Sequence, residues 1–306
     1  MPIDSKFIIS ANITESKADD KTYHEHKEFM SASALKRLKI SPAHYREEEK
    51  IEETDAMRFG SAYHCYVLEP NKFDDEFFVF DDSAICEILL GEGYKSPRST
   101  NKYKEWAEVE MQKMGVRTNI SKQELATIQA MSARLHSHPY AKTLLKDGRN
   151  EVGYMGTIMT ETGEIPIKFK PDHLNDKKRI VVDLKTCIDA SIDGFSRHAA
   201  DLDYHIQAAL YADLMEVISG DDRQWDFYFI AQEKKAPYAF NIFEASPQFL
   251  GQGRHEYETL LTLWKYCNDN DRWDGYQVWC ESRFGIYNLQ LPPWCMKEIK
   301  FYKHKI

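Results

Sequence analysis

Residues 170–186 read KPDHLNDKKRIVVDLKT. Two strand-like runs, about 165–172 and 179–186, flank the polar turn Asn175-Asp176-Lys177-Lys178. On a strand, residues two apart share a face, so Asp183 and Lys185 project together while Val182 and Leu184 point to the core. Asp172 lies on the preceding strand, across the turn and within reach of Asp183. Pro171 cannot donate to a sheet ladder, which predicts a bulge or an edge there. Two carboxylates and a lysine then share one patch of sheet. Hard cations such as Mg²⁺ favour oxygen ligands and keep several waters, which suits a phosphodiester. The metal polarises the phosphate and acidifies the attacking water, and a neighbouring lysine stabilises the negative charge that develops. A lone Asp-x-Lys on a strand is ordinarily a surface ion pair, so the surroundings decide.

A further strand-like run, about 152–159, comes before these two, set off by Glu161-Thr162-Gly163-Glu164. The three runs predict an antiparallel meander. A long helix follows from about Asp203 to Ser219, with Gly220 as its C-terminal glycine. Strands at about 226–232 and 237–244 and a helix at 247–267 complete this part. Upstream, Ser33 is placed to cap the run 34–38, and Ser41-Pro42 is a cap followed by proline at the first helical position. Thr54 opens DAMRFGSAYHCYVL, which Glu69-Pro70 ends. Residues 81–105, with Gly91, Gly93 and Pro97, read as a loop or insertion. Residues 122–146 return to helical spacing through Leu125, Ile128, Met131, Leu135 and Leu144.

Residues 1–30 are polar and read as a flexible lead-in. The remainder, 31–306, reads as one domain: a helical part at 31–150, a layered α/β core at 151–267, and an aromatic tail at 268–306 that has no assignment.

With 306 residues, 42% hydrophobic and 29% charged, the composition is globular and excludes a disordered chain. No apolar run approaches a membrane span, and the N-terminus lacks a signal-peptide core, which predicts a cytoplasmic protein. The six cysteines contain no CxxC pair, so no zinc signature is present and reduced thiols are expected. The net charge of −9 opposes nucleic acid on average but leaves room for a local basic channel.

Gly60 and His64 stand i, i+4 on one predicted helix, and Gln207 and Tyr211 stand i, i+4 on another. Alone, each is ordinarily a packing pair. In order, GxxxH, Glu151, Pro171-Asp172, Val182-Asp183-Leu184-Lys185-Thr186 and QxxxY are far less expected by chance. Together with GSAYHCYVLEP at 60–70 and YHIQAALY at 204–211, they resemble the RecE (exonuclease VIII) nuclease domain. That family belongs to the PD-(D/E)xK superfamily and is similar in motif order to RecB-type nucleases. The resemblance runs from about Ser31 to the Leu291-Pro292-Pro293-Trp294 segment.

It implies an α/β restriction-endonuclease-like core, a central mixed sheet flanked by helices, with an N-terminal helical region. It further implies that His64, Asp172, Asp183 and the Leu184 carbonyl hold the metal, with Glu151 as a further acidic ligand. Lys185 matches the catalytic lysine, and Gln207 and Tyr211 match the helix motif that supports the site and contacts DNA. Lys170 stands where the family commonly has arginine, keeping the charge without the planar fork. Arg98 and Lys102, in the segment read as a mobile loop, suit a phosphate or a strand's 5′ end, although a solvated loop explains them as simply.

The implied cofactor is Mg²⁺, replaceable by Mn²⁺. No iron–sulfur cluster is expected, because the cysteines lack the spacing of relatives that hold one. The implied activity is 5′-to-3′ digestion of linear double-stranded DNA, leaving 3′ tails for a single-strand annealing protein of RecT type, in a phage or prophage setting. A ring-shaped homo-oligomer, a tetramer by preference, would enclose the DNA. An endonuclease, a nuclease of other polarity, and a DNA-binding module with a vestigial site are the alternatives.

Overall fold

The computed structural model describes residues 7–16, 20–47, 53–220, 223–276 and 289–292. Strand β1 (Ser10–Glu15) and helices α1 (Asp20–Glu25), α2 (Ala32–Ile40), α3 (Pro42–Arg46) and α4 (Asp55–Leu68) open the chain. Then come α5 (Phe73–Glu76), β2 (Phe77–Phe80), α6 (Ser83–Gly91), α7 (Asn101–Met114), β3 (Thr118–Ser121), α8 (Lys122–His136) and α9 (Pro139–Leu144). The layered part comprises β4 (Arg149–Asn150), β5 (Tyr154–Thr160), β6 (Gly163–Phe169), β7 (His173–Asn175), β8 (Ile180–Cys187), α10 (Ile192–Asp201), α11 (Tyr204–Ser219), β9 (Asp226–Glu233), β10 (Phe240–Glu244) and α12 (Pro247–Asn270). Most of the aromatic tail, with Trp279 and Trp294, lies outside the described residues.

Local chemistry sets the boundaries. Thr54 caps α4 by accepting from the Met57 N–H (3.2 Å), and the helix stops before Pro70. Gly220, at φ +67°, closes α11 in the left-handed conformation that glycine adopts freely. Helix α2 is capped two residues earlier than expected, by Ser31 rather than Ser33. The segment read as a loop at 81–105 instead holds α6, a 3₁₀ turn at Pro97–Ser99 and the start of α7. The supposed lead-in contributes β1, and α10 had no counterpart in the sequence reading.

The main sheet is mixed, in the order β10-β9-β8-β7-β4, with β8 and β9 parallel and the other neighbours antiparallel. A separate antiparallel sheet runs β1-β5-β6, and β2 pairs with β3 in parallel. The expected meander is therefore divided. Strand β6 pairs with β5, and the chain then crosses at Lys170-Pro171-Asp172 to enter the main sheet as β7. Pro171 sits at this crossing, where no ladder asks for its missing N–H.

The main sheet is covered on both faces. Val181, Phe227, Phe229 and Ala231 enter a core shared with α2, α10, α11, α12 and the second sheet. Val182, Leu184, Tyr228 and Ile230 enter another with α4, α8 and α9. Among the described residues no helix is long and apolar enough to cross a membrane.

Helices α11 and α12 meet where a Cβ on Gly253 would collide with the His205 carbonyl, a backbone atom that cannot swing aside. Gly253→Ala should therefore lower stability by about 1–3 kcal/mol, the ordinary cost of overpacking. A Cβ on Gly60 in α4 would meet nothing within 4 Å. Gly60→Ala should raise stability by up to about 1 kcal/mol through helix propensity. Urea unfolding of both variants checks the contrast, and equal effects would refute the close helix crossing.

Candidate active site

Strand β8 lies between β9 and β7, and its alternation gives the site its shape. Val182 and Leu184 point into the α4/α8 layer, while Asp183 and Lys185 share the opposite face with Val181. Helix α11 covers that face. From it, Gln207 Nε2 donates to Asp183 Oδ2 at 2.6 Å. Asp183 is 1% exposed. Its Oδ1 lies 2.5 Å from Lys185 Nζ but has no aligned hydrogen bond, so one lone-pair face of a buried carboxylate stays unsatisfied.

Asp172 arrives from the crossing between the two sheets and is 9% exposed. Its Oδ2 accepts from the Leu184 N–H at 2.7 Å. His64, one turn from the end of α4, donates from Nε2 to the Leu184 carbonyl at 2.7 Å. That leaves Nδ1 facing Asp172 Oδ2 at 3.5 Å. A positive charge shared between them, a proton or a metal ion, joins the two.

Glu151 completes the group. Its backbone is left-handed (φ +52°), uncommon for a residue with a Cβ, and its N–H donates to the Asp172 carbonyl at 3.0 Å. Ligand atoms of His64, Glu151 and Asp172 lie within 4.8 Å of one another. Glu151 also holds Lys170 Nζ at 2.8 Å, so Lys170 is engaged at the site's acidic edge. An imidazole nitrogen, two carboxylates and an unsatisfied third carboxylate oxygen fit a divalent cation of the Mg²⁺ or Mn²⁺ kind.

The electrostatics follow from burial. Desolvation, then the nearby Asp183 and Glu151 charges, pushes the Asp172 carboxyl up to about 7, against the pull of His64 and Lys185. Burial alone would depress the Lys185 ammonium, but the Asp183 and Asp172 carboxylates outweigh it and hold the lysine charged, above its ordinary range. Lys185 also sits 4.9 Å from the centroid of the Tyr204 ring. Tyr211 is buried against Phe169 and Phe227, and Phe169 is the last residue of β6 before the crossing. That packing supports the crossing that delivers Asp172.

The structure thus brings His64, Glu151, Asp172, Asp183, Leu184, Lys185, Gln207, Tyr211 and Lys170 into one region. Arg98 and Lys102 stand apart from it. Arg98 grips Asp82 through two bonds of 2.6 and 3.1 Å, and Lys102 Nζ lies 2.6 Å from Glu92. Both belong to the α6–α7 segment, which is structured rather than a loose loop.

Two members escaped the sequence reading. Tyr204 stands three residues before Gln207 on α11, a spacing that places it on the same side. Lys36, on α2, lies 5.0 Å from the centroid of that Tyr204 ring. Burial, then the charge of Lys185, pushes its ammonium down to about 8. Nothing in its local sequence marks it.

The raised Asp172 group has a consequence for stability. Between about pH 4, its unfolded range, and about 7, the folded metal-free chain holds more protons than the unfolded one. Stability should fall as pH rises through that window. Asp172→Asn should flatten this fall, and Mg²⁺ should raise the melting temperature more at about pH 8 than at about pH 5. Calorimetry with and without EDTA measures both, and a metal-free protein that gains stability across the window would contradict the assignment.

Residues 31–283 match the model of a family described as a PDDEXK-like domain of unknown function, DUF3799. No curated protein matches the chain significantly. The crystal structure of a "Putative exonuclease" from Eubacterium rectale superposes with a TM-score of 0.56 at 18% identity, covering 90% of this chain and 96% of that one. At that identity the likeness is one of fold. The structure of SSO0001 gives a TM-score of 0.27 at 17% identity, over 67% of this chain and 84% of that one. With the family model spanning the helical part, the layered core and the Asp172–Lys185 motif together, this chain belongs to the PDDEXK-like family DUF3799.

Proposed function

We propose that this protein is a divalent-metal-dependent nuclease that hydrolyses phosphodiester bonds in DNA. The observation that carries the reading is the convergence of ligand atoms of His64, Asp172 and Glu151 within 4.8 Å of one another, with Asp183–Lys185 one strand away. His64, Asp172 and Glu151 would hold Mg²⁺, with Asp183 and the second lone pair of the Leu184 carbonyl facing the same space. When bound, the ion supplies charge that polarises the phosphate and makes its water a nucleophile at neutral pH.

The chain's own residues do the rest. Gln207 fixes one Asp183 oxygen, so the carboxylate keeps a single orientation toward the substrate. Lys185, held charged by Asp183, offers its remaining protons to a phosphate oxygen or to the attacking water. Tyr211 packs on Phe169, just before the crossing, and so supports the position of Asp172 opposite His64.

The finer reading is an exonuclease acting 5′ to 3′ on linear duplex DNA in the cytoplasm, leaving 3′ single strands for an annealing protein of RecT type. A ring of subunits, a tetramer by preference, reconciles the net charge of −9 with a polyanionic substrate, because cations can line a central channel. Arg98 and Lys102 would reach DNA only by exchanging their carboxylate partners for phosphates.

Digestion of 5′- and 3′-labelled linear duplex, in Mg²⁺ and in EDTA, tests the activity and its polarity. Label should leave the 5′ end first, and a covalently closed circle should survive. Cut circles would make the protein an endonuclease. Asp183→Ala should retain less than about 1% of wild-type activity while still binding duplex. Lys185→Ala should lower turnover strongly with metal affinity nearly unchanged. No cleavage under any metal would leave a binding module, and a monomer of about 36 kDa by light scattering would remove the ring.

A further inference from the structure

Helix α2 carries two lysines one turn apart with different fates. Lys39 Nζ is clamped at 2.6 Å by Asp203 and at 2.6 Å by Glu256, with His205 Nε2 3.1 Å from the same glutamate. That network ties α2 to the start of α11 and to α12. In it Lys39 is matched by two carboxylates. Lys36, three residues earlier, makes no ion pair among the described residues, although it is half-buried. Its ammonium and that of Lys185 lie 5.0 and 4.9 Å from the centroid of one ring, Tyr204.

Half-burying a cation without a counter-charge is costly, and placing a second cation on the same ring adds repulsion. The two carboxylates whose charge acts on Lys36, Asp183 and Asp203, are engaged elsewhere, Asp183 by Lys185 and Gln207 and Asp203 by Lys39. An anion from outside would relieve both costs, and lysine as a compact point charge suits a phosphate. The Lys39 clamp holds α2 in place, so Lys36 is presented rather than trailing in solvent.

We propose that Lys36 is a substrate contact of this site, binding a backbone phosphate of the DNA strand beside Lys185. The inference deepens the nuclease reading and rests on it. No bond is made or broken at Lys36. Its part is to hold the strand so that the neighbouring phosphodiester reaches the metal ligands and Lys185.

The test compares wild type, Lys36→Met and Lys36→Arg by fluorescence anisotropy on a short linear duplex in EDTA, across a salt series. Each phosphate neutralised contributes about 0.9 to the slope of log K against log salt. Lys36→Met should reduce that slope by about 0.9, and Lys36→Arg should restore it. The melting temperature of Lys36→Met should not fall below the wild-type value, because no internal ion pair is lost and an unpaired, half-buried charge is removed. With Mg²⁺ present, Lys36→Met should raise KM by about tenfold, with kcat affected less, the mark of a lost binding contact.

An unchanged slope would overturn the proposal, as would a lowered melting temperature with the slope intact. Wild type that cuts DNA while Lys36→Met shows the same slope and KM removes this inference and spares the nuclease reading. Wild type that binds duplex but never cuts removes the nuclease reading, and the slope still decides the phosphate contact. Wild type that does not bind duplex at all removes both.

Discussion

Asp172 and Asp183 place two carboxylates within each other's field, inside a sheet covered on both faces. Like charges in a dry setting cannot both stay ionised without help, and the surrounding structure supplies that help from every side. The Leu184 N–H supports Asp172, the Gln207 amide supports Asp183, and Lys185 offsets one of the two charges. Each of these requires an element elsewhere: α11 to carry Gln207, the crossing at Pro171 to carry Asp172, and the parallel pairing of β8 with β9 to keep the strand central. The remaining deficit of positive charge is what a divalent ion fills.

Much of this was legible where chemistry is local. The helix DAMRFGSAYHCYVL runs between its cap Thr54 and its stop at Glu69-Pro70, as those residues require. The period of two in Val182-Asp183-Leu184-Lys185 correctly separated core from site. What stayed hidden depends on partners. Strand alternation does not say which strand lies alongside, so the division of the meander between two sheets left no trace except Pro171. Ser31 and Ser33 offer the same cap chemistry two residues apart, and docking of α2 selects Ser31. Glycines in 81–105 suggested a loop, yet Gly91 and Gly93 only end α6. Lys36 joins the site because α2 packs on α11, a tertiary fact that no short motif encodes.

Charge is distributed in a consistent way. Arg98 and Lys102, exposed on the α6–α7 segment, are matched to Asp82 and Glu92, so neither offers a polyanion a free charge. The cations kept near the carboxylates are sheltered instead: Lys170, Lys185 and Lys36 all lie partly out of water. Sheltering strengthens their attraction for an entering phosphate, since the effective dielectric is lower there than at the surface.

Strand β1 lies ahead of the region matched by the family model, which starts at residue 31. It nonetheless pairs along the whole of Ser10–Glu15 with β5, and Arg149 ties its last residue, Glu15, to Asp176. Gly156 permits this, because any side chain there would strike the Asn12 backbone. A protein trimmed to the family boundary would leave the β5 edge bare, with a row of N–H and C=O groups seeking partners. Bare edges recruit other strands, so such a fragment would self-associate for reasons unrelated to any native assembly.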